Sequence, residues 1–362
     1  MDRRGFMAMG GVLLLSGCGG GGAGQGNGRT LVIGKAGDFS TMDPAVTVQS
    51  NDFAPIGLAY ERLLRFRMRD GLPTGDLDGE LASAWMGEDG GSAWLFTLAP
   101  GHFFDDGTPV TAEAVRFSFD RTLRIGRGVA QALDGLEAVE VLDAANVRFR
   151  LRAPNPVFPF ILALTPMAVV NPAVMAQERG GDLARAYLSD HTAGSGPYRV
   201  KSWTRGQRVV MTANPHAPVP PRHFDRVVIK VVKDEAAYRT QLRKGDLDIY
   251  ESVAPDAAAG FAGAGDVVLL SRPTPAVIAL IPNNERAPLN RVEVRRALAL
   301  SIDAPRMAAT IMGGRASPIH GLLPEGVPGQ DMSIPVTRRD VAAARALLDA
   351  AGIAPGLRLT LS

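Results

Sequence analysis

Residues 103–121 read FFDDGTPVTAEAVRFSFDR, and the parsing of the surrounding chain turns on this stretch. Asp105 and Asp106 precede Gly107, Thr108 and Pro109. Short carboxylates bond nearby backbone N–H groups, and glycine and proline take the backbone angles a turn demands, so this composition predicts a turn. Thr111 then offers an N-cap oxygen, and Val115, Phe119 and Leu123 fall on one face of the helix it opens. On either side lie Ala93–Leu98 (AWLFTL) and Asn146–Leu151 (NVRFRL), whose alternation predicts half-buried strands. Strand and helix signals interleaved in this way place the chain in the α/β or α+β class.

Outward toward the start, Thr30–Gly34 (TLVIG) has the composition of a buried strand. Asp52 is placed to cap a helix that carries Ile56, Ala59, Tyr60, Leu63 and Leu64 at helical spacing. Toward the end, Pro197–Trp203 and Gln207–Ala213 predict a hairpin turning at Thr204, Arg205 and Gly206. Asp225–Val232 predicts a further strand, and a helix over Asp234–Lys244 stops at Gly245. Helices follow over Val292–Ile302, over Ala304–Met312 behind the Asp303 cap, and over Asp340–Ala351, which Gly352 ends. Leu357–Leu361 has the pattern of a strand that has just begun. The proline- and glycine-rich interval Pro255–Pro275 is the expected lobe boundary.

The amino-terminal residues carry a separate message. Arg3 and Arg4 precede an apolar run from Phe6 to Gly17, a signal-peptide layout too short for a spanning helix, which needs about 20 apolar residues. The arginine pair resembles a twin-arginine export signal, with Asp2 and Met7 as departures, and the general secretory route is the alternative. Leu15, Ser16, Gly17 and Cys18 match the bacterial lipobox, so Cys18 is expected to carry lipid. Seven of the ten residues from Gly19 to Gly28 are glycine, which makes the segment a flexible tether rather than core. Cys18 is the single cysteine, so no disulfide, cysteine metal site or thiol nucleophile is expected.

The formal net charge is +2, and losing residues 1–17 with two arginines and one aspartate leaves +1. That balance gives no electrostatic basis for binding nucleic acid or an anionic membrane. With 46% hydrophobic and 21% charged residues, the remainder has an ordinary globular composition. Its length suggests two domains or more. The histidines at 102, 191, 216, 223 and 320 include no pair three or four apart, so no helical metal motif exists. Ser195 sits in Gly194-Ser195-Gly196, but Ala193 stands where a nucleophile elbow needs its first glycine, and a turn is the simpler reading. Asp105 and Asp106 are expected to do turn chemistry, not acid–base work. No residue set argues for catalysis, and no cofactor is implied.

Four segments in order carry a resemblance: residues 103–121, GSGPYRV (194–200), KGDLDI (244–249) and VRRALALSID (294–303). They resemble successive segments of the family 5 extracytoplasmic solute-binding proteins, which serve ABC importers of dipeptides, oligopeptides, nickel and other solutes. TMDPAVTV (41–48) is similar to the family's Leu-Asp-Pro segment. Asn214-Pro215 lacks the aromatic pair that usually follows, and Pro288-Leu289-Asn290-Arg291 departs from the family's Pro-Phe-x-Asp.

The resemblance implies an α/β, two-lobed periplasmic-binding-protein-like fold of type II, with an inserted subdomain in lobe one. On that mapping residues 1–17 are the signal peptide and 18–28 the lipidated cysteine and tether. Residues 29–57 and 188–258 form lobe one, 58–187 the inserted subdomain, 259–269 the hinge region and 270–362 a partial lobe two. Ligand contacts carried over from the family fall on Val48, Gln49 and Ser50, on Glu251 and Ser252, and on Ile281 in the first strand of lobe two. The expected function is capture of a peptide or similar small solute in the interlobe cleft and delivery to ABC permease subunits. The expected form is a monomer, lipid-anchored in the periplasm and exported by the twin-arginine route. A non-peptide solute, such as a metal chelate or a sugar, and a secreted hydrolase working through Ser195 are the alternatives. Because family members run longer, residues 19–362 are expected to be aggregation-prone. Val341, Ala344 and Leu348 would then be short of partners, and peptides would not bind at micromolar levels.

Overall fold

The computed structural model describes residues 29–360 apart from 71, 222, 252, 262–266, 272–275, 325, 326 and 328. The expected signal peptide, Cys18 and the glycine tract, all within residues 1–28, lie outside the described residues. The first half of the chain forms β1 (Thr30–Lys35), α1 (Phe53–Ala59), β2 (Leu64–Arg69), β3 (Leu72–Gly79), β4 (Ala82–Glu88), β5 (Ala93–Leu98), α2 (Ala112–Ile125), β6 (Leu136–Val141) and β7 (Asn146–Leu151). There follow α3 (Phe158–Leu162), α4 (Arg185–Leu188), β8 (Tyr198–Thr204), β9 (Arg208–Ala213), β10 (Arg226–Val231), α5 (Glu235–Lys244), β11 (Ile249–Tyr250) and α6 (Pro255–Ala258). Three helices close the order: α7 (Val292–Ser301), α8 (Ala304–Thr310) and α9 (Val341–Ala350). Among the described residues no helix is long and apolar enough to cross a membrane.

The strands build a mixed sheet of order β11-β1-β10-β9-β8, an antiparallel sheet of order β4-β5-β7-β6, and the ribbon β2-β3. In the mixed sheet β1 is parallel to β10 and β11, while β9 runs antiparallel to β10 and β8. Alternation decides its two faces. Ile229, Val227, Val209 and Met211 meet Ile56, Ala59 and Tyr60 of the α1 segment on one side. On the other, Val32 packs with Val232, Leu247 and Phe261 around Tyr238 of α5. That helix starts where Asp234 accepts the Ala237 N–H at 2.8 Å and ends at Gly245, whose φ of 76° suits a residue without a Cβ.

The antiparallel sheet is covered by α2, and its core is aromatic. Phe149 of β7 lies 4.9 Å from Phe119 of α2 and 5.5 Å from Phe96 of β5, both edge-on. Burying each such ring contributes about 1.5 to 3 kcal/mol. The helix begins as the sequence predicts, with Thr111 Oγ1 accepting the Ala114 N–H at 3.4 Å, and Gly126 at φ 64° closes it. The turn before it is anchored from outside by Glu61, whose two carboxylate oxygens lie 3.0 and 3.1 Å from Nδ1 of His102. This hydrogen bond holds the His102 pKa above its ordinary value, against the opposing effect of burial. A histidine raised on folding stabilises fully below its unfolded pKa of about 6.5 and loses that contribution as pH rises through the folded value. Stability measured by denaturant titration is therefore expected to decline from pH 6 upward, and His102→Gln to flatten that slope. An unchanged slope in the variant would show that the pair does not couple to folding.

Four local expectations are corrected. The first helix ends at Ala59, and Leu64 opens a strand instead of extending the helical stripe. The Ala59 carbonyl is taken by the Gly196 N–H at 3.0 Å, and Asp52 caps nothing because its carboxylate serves Ser40 and Thr47. Residues 357–360 form no strand among the described residues, having no neighbouring strand to pair with. Ala344 is not short of partners: α7 and α9 pack together and bury Val294, Ala297 and Ala344, while Val341 and Leu348 stay half-buried.

Candidate functional site

Strand direction assembles the site. Because β9 alone is reversed, β1, β8, β10 and β11 all end on one edge of the mixed sheet. In open α/β sheets, ligands collect outside the carboxyl ends of the strands. The segments leaving this edge are residues 36–52 after β1, the turn 205–207 after β8, residues 232–234 after β10 and the chain from Glu251 after β11.

The long segment after β1 is held from several sides. Asp38 accepts the Gly206 N–H at 2.6 Å and Trp203 Nε1–H at 3.3 Å, while Phe39 meets the Trp203 ring edge-on at 6.2 Å. Gly37 lies so close to Asn51 that a Cβ would fall 2.1 Å from its Nδ2. Buried Asp52 accepts from the Ser40 N–H at 2.7 Å and from the Thr47 hydroxyl at 2.8 Å. Deeper, Asp43 is clamped by Arg121 of α2. These bonds bury the middle of the segment and leave a short stretch near its carboxyl end outward: Val48 is 73% exposed, and Gln49 and Ser50 are exposed beside it. A valine left in solvent gains nothing for folding, so its neighbours alone decide where it points.

Glu251 is positioned by the sheet itself, since its N–H donates to the Gly34 carbonyl at 3.0 Å. Its Oε2 lies 2.8 Å from Nζ of Lys35, the last residue of β1. The lysine side chain is only 10% exposed and the glutamate 41%. Sequence reading missed Lys35, although a lysine closing the apolar run TLVIGK is a buried charge in need of a partner. Glu251 stands directly at this edge, whereas Val48–Ser50 lie further along the segment that leaves it, next to Asn51 and Asp52, which are tied back to Gly37 and Ser40. Ser252 lies outside the described residues. Ile281 sits in an irregular stretch where the expected strand does not form among the described residues, and at 90% exposure it is packed against neither group.

The hydrolase alternative finds no chemistry at Ser195. That residue is fully buried, and its hydroxyl has no hydrogen-bond partner, so no base is in reach to activate it. Asp106 accepts from the Thr108 N–H and hydroxyl and from Asn171 Nδ2, which is turn chemistry as the sequence predicts. Burial, aided by the charge of Asp106 and opposed by Arg199, pushes Asp105 up to about 6. Among the described residues no group of three or more His, Cys, Asp or Glu side chains could hold a metal ion.

Residues 76–361 match the model of the bacterial extracellular solute-binding proteins, family 5 middle. Over 319 residues the chain is 39% identical to the probable D,D-dipeptide-binding periplasmic protein DdpA of Escherichia coli (strain K12), covering 88% of this chain and 62% of that protein. It is 29% identical to protein XP55 of Streptomyces lividans, covering 91% and 58%. The chain thus spans about three-fifths of the length of these relatives. Among solved structures it superposes on the AgaA binding protein of A. tumefacien R10 in complex with agropinic acid, at TM-score 0.79, 26% identity and coverage of 89% and 64%. It also superposes on the periplasmic binding protein DppA of Helicobacter pylori in complex with the peptide STSA, at TM-score 0.77, 20% identity and coverage of 90% and 66%. These likenesses establish the mixed α/β periplasmic-binding-protein fold.

Proposed function

This chain belongs to family 5 of the bacterial extracellular solute-binding proteins, and from that premise we propose that it captures a peptide or similar small solute in an interlobe cleft. The observation that carries the reading is the half-exposed Glu251 held against Lys35 at the carboxyl edge of the mixed sheet, in a chain whose relative DdpA is named for D,D-dipeptide binding. Lobe one comprises residues 29–57 and 188–258, with 58–187 inserted as its subdomain. Residues 259–269 act as the hinge region, and 270 onward belong to lobe two. Solute entering from the edge touches both lobes through Val48, Gln49, Ser50, Glu251, Ser252 and Ile281. It draws the population toward a closed form that ABC permease subunits recognise, since a ligand shifts a conformational equilibrium by its differential affinity for the two forms. A non-peptide solute is the second reading, favoured by the agropinic acid complex among the superposing structures.

In this reading the protein works as a monomer in the periplasm. The arginine pair directs it to the twin-arginine route, and a diacylglyceryl group on Cys18 tethers it. Two acyl chains give retention that one does not, at about 0.8 kcal/mol per buried CH₂. Intact-mass and native mass spectrometry of protein purified from a bacterial host test both parts. The denatured mass is expected to include the lipid, absent in Cys18→Ser, and the native spectrum a peptide-sized adduct. A lipid-free wild type would overturn the anchor. A folded protein that neither carries nor takes up peptide would overturn the peptide assignment in favour of the second reading.

A further inference from the structure

Lys35 and Glu251 form a nearly neutral unit at the carboxyl edge of the sheet, and the two charges are unequally placed. The ammonium sits inside and the carboxylate, 2.8 Å away, faces out. Both side chains leave the same face of the sheet, since Gly34 and Tyr250, their preceding neighbours, meet on the other. A solute that presents a cationic group to Glu251 therefore also feels the ammonium of Lys35 a few ångströms behind it. At such distances in a partly shielded site, a unit charge changes affinity by about tenfold or more.

We propose that Lys35 is a specificity-determining residue that selects zwitterionic solutes over simple cations at Glu251, an inference that rests on the solute-capturing function above. A zwitterion brings its own carboxylate, which answers the lysine while its ammonium answers the glutamate. A monocation of the same shape leaves the assembled group of charges with one positive charge in excess. Lys35 acts here by adding its field to that of Glu251, not by replacing it. Methionine has nearly the length of lysine without its charge, and with Glu251 four-tenths exposed, water solvates the carboxylate that Lys35→Met leaves unpaired.

The test is calorimetric titration of the protein as its gene encodes it. The probes are the dipeptides of L-alanine and of D-alanine, each as the free zwitterion and as the carboxyl-terminal amide. The parent is expected to prefer the zwitterion by about tenfold or more for whichever dipeptide it binds. Lys35→Met is expected to shrink that preference by about tenfold, chiefly by tightening the amide, and Lys35→Arg to keep it. A merely structural lysine would lower affinity for both forms alike and leave the ratio unmoved, and that result would overturn the assignment. So would a parent that binds amide and zwitterion equally. A parent that binds none of the four probes would remove the peptide reading, and this inference with it.

Discussion

Arg121→Ala is expected to cost about 3 to 5 kcal/mol of folding stability, the range for breaking a buried ion pair by removing one partner. The guanidinium of Arg121 donates to both carboxylate oxygens of Asp43, at 2.9 and 2.6 Å, and through Nε to the Leu183 carbonyl at 2.8 Å. Its side chain is 2% exposed and that of Asp43 is wholly buried. Truncation leaves a carboxylate without water or counter-charge, and α2 loses its tie to the segment after β1. Replacing both partners by apolar residues of similar volume, Arg121→Met with Asp43→Leu, is expected to recover most of the loss, because the desolvation cost disappears with the charges. Denaturant midpoints of the parent and these two variants decide the matter. A single-variant cost below about 1 kcal/mol, the range of exposed pairs, would show that this pair clamps nothing.

Gly196→Ala is the second large effect, expected near 3 kcal/mol, the upper end for overfilling a packed site. A Cβ there would lie 2.6 Å from the Ala59 carbonyl carbon and 2.7 Å from both Leu58 O and Tyr60 N. These are backbone atoms and cannot swing aside. The same approach carries the Gly196 N–H to Ala59 O bond, and the Gly196 carbonyl accepts from Asn214 Nδ2 at 2.9 Å. Relieving the clash would break the contact that ends α1 and joins it to the start of β8. Gly135→Ala is the control, since a Cβ at Gly135 meets nothing within 4 Å. Thermal unfolding should separate the two variants clearly. Similar transition temperatures would mean that residues 58–60 yield to the added methyl group.

What could be read from residues alone was local and periodic. Thr111 and Asp303 cap the helices expected of them, and Asp234 and Asp340, expected as first helical residues, prove to be caps as well, because a side-chain oxygen meets an N–H three residues on wherever that backbone turns helical. Strands β1, β5, β7, β8, β9 and β10 were legible because their alternation or β-branched runs show in the sequence itself. Strand β3, LPTGDLDG, has neither signal, and it exists because β2 pairs with it from Leu64–Gly79 to Arg69–Leu72. Pairing energy from a partner strand is invisible in any single stretch.

The family, too, was determined by the sequence, since four ordered segments suffice to mark it, and the candidate positions Val48–Ser50 and Glu251 were carried over with that resemblance as expectations. The tertiary structure decided what those positions face. The end of α1 depends on Gly196, 137 residues after Ala59 in the chain. The partner of Asp43 is Arg121, the last residue of the stretch 103–121, and the partner of Glu251 is Lys35. Each of these is a contact between groups distant in sequence, and its energy comes from burial and charge pairing that exist only once the chain has folded. Residue types and spacings therefore carried the turns, caps, strands and family, whereas the charge balance at the candidate site had to wait for β1 and β11 to lie side by side.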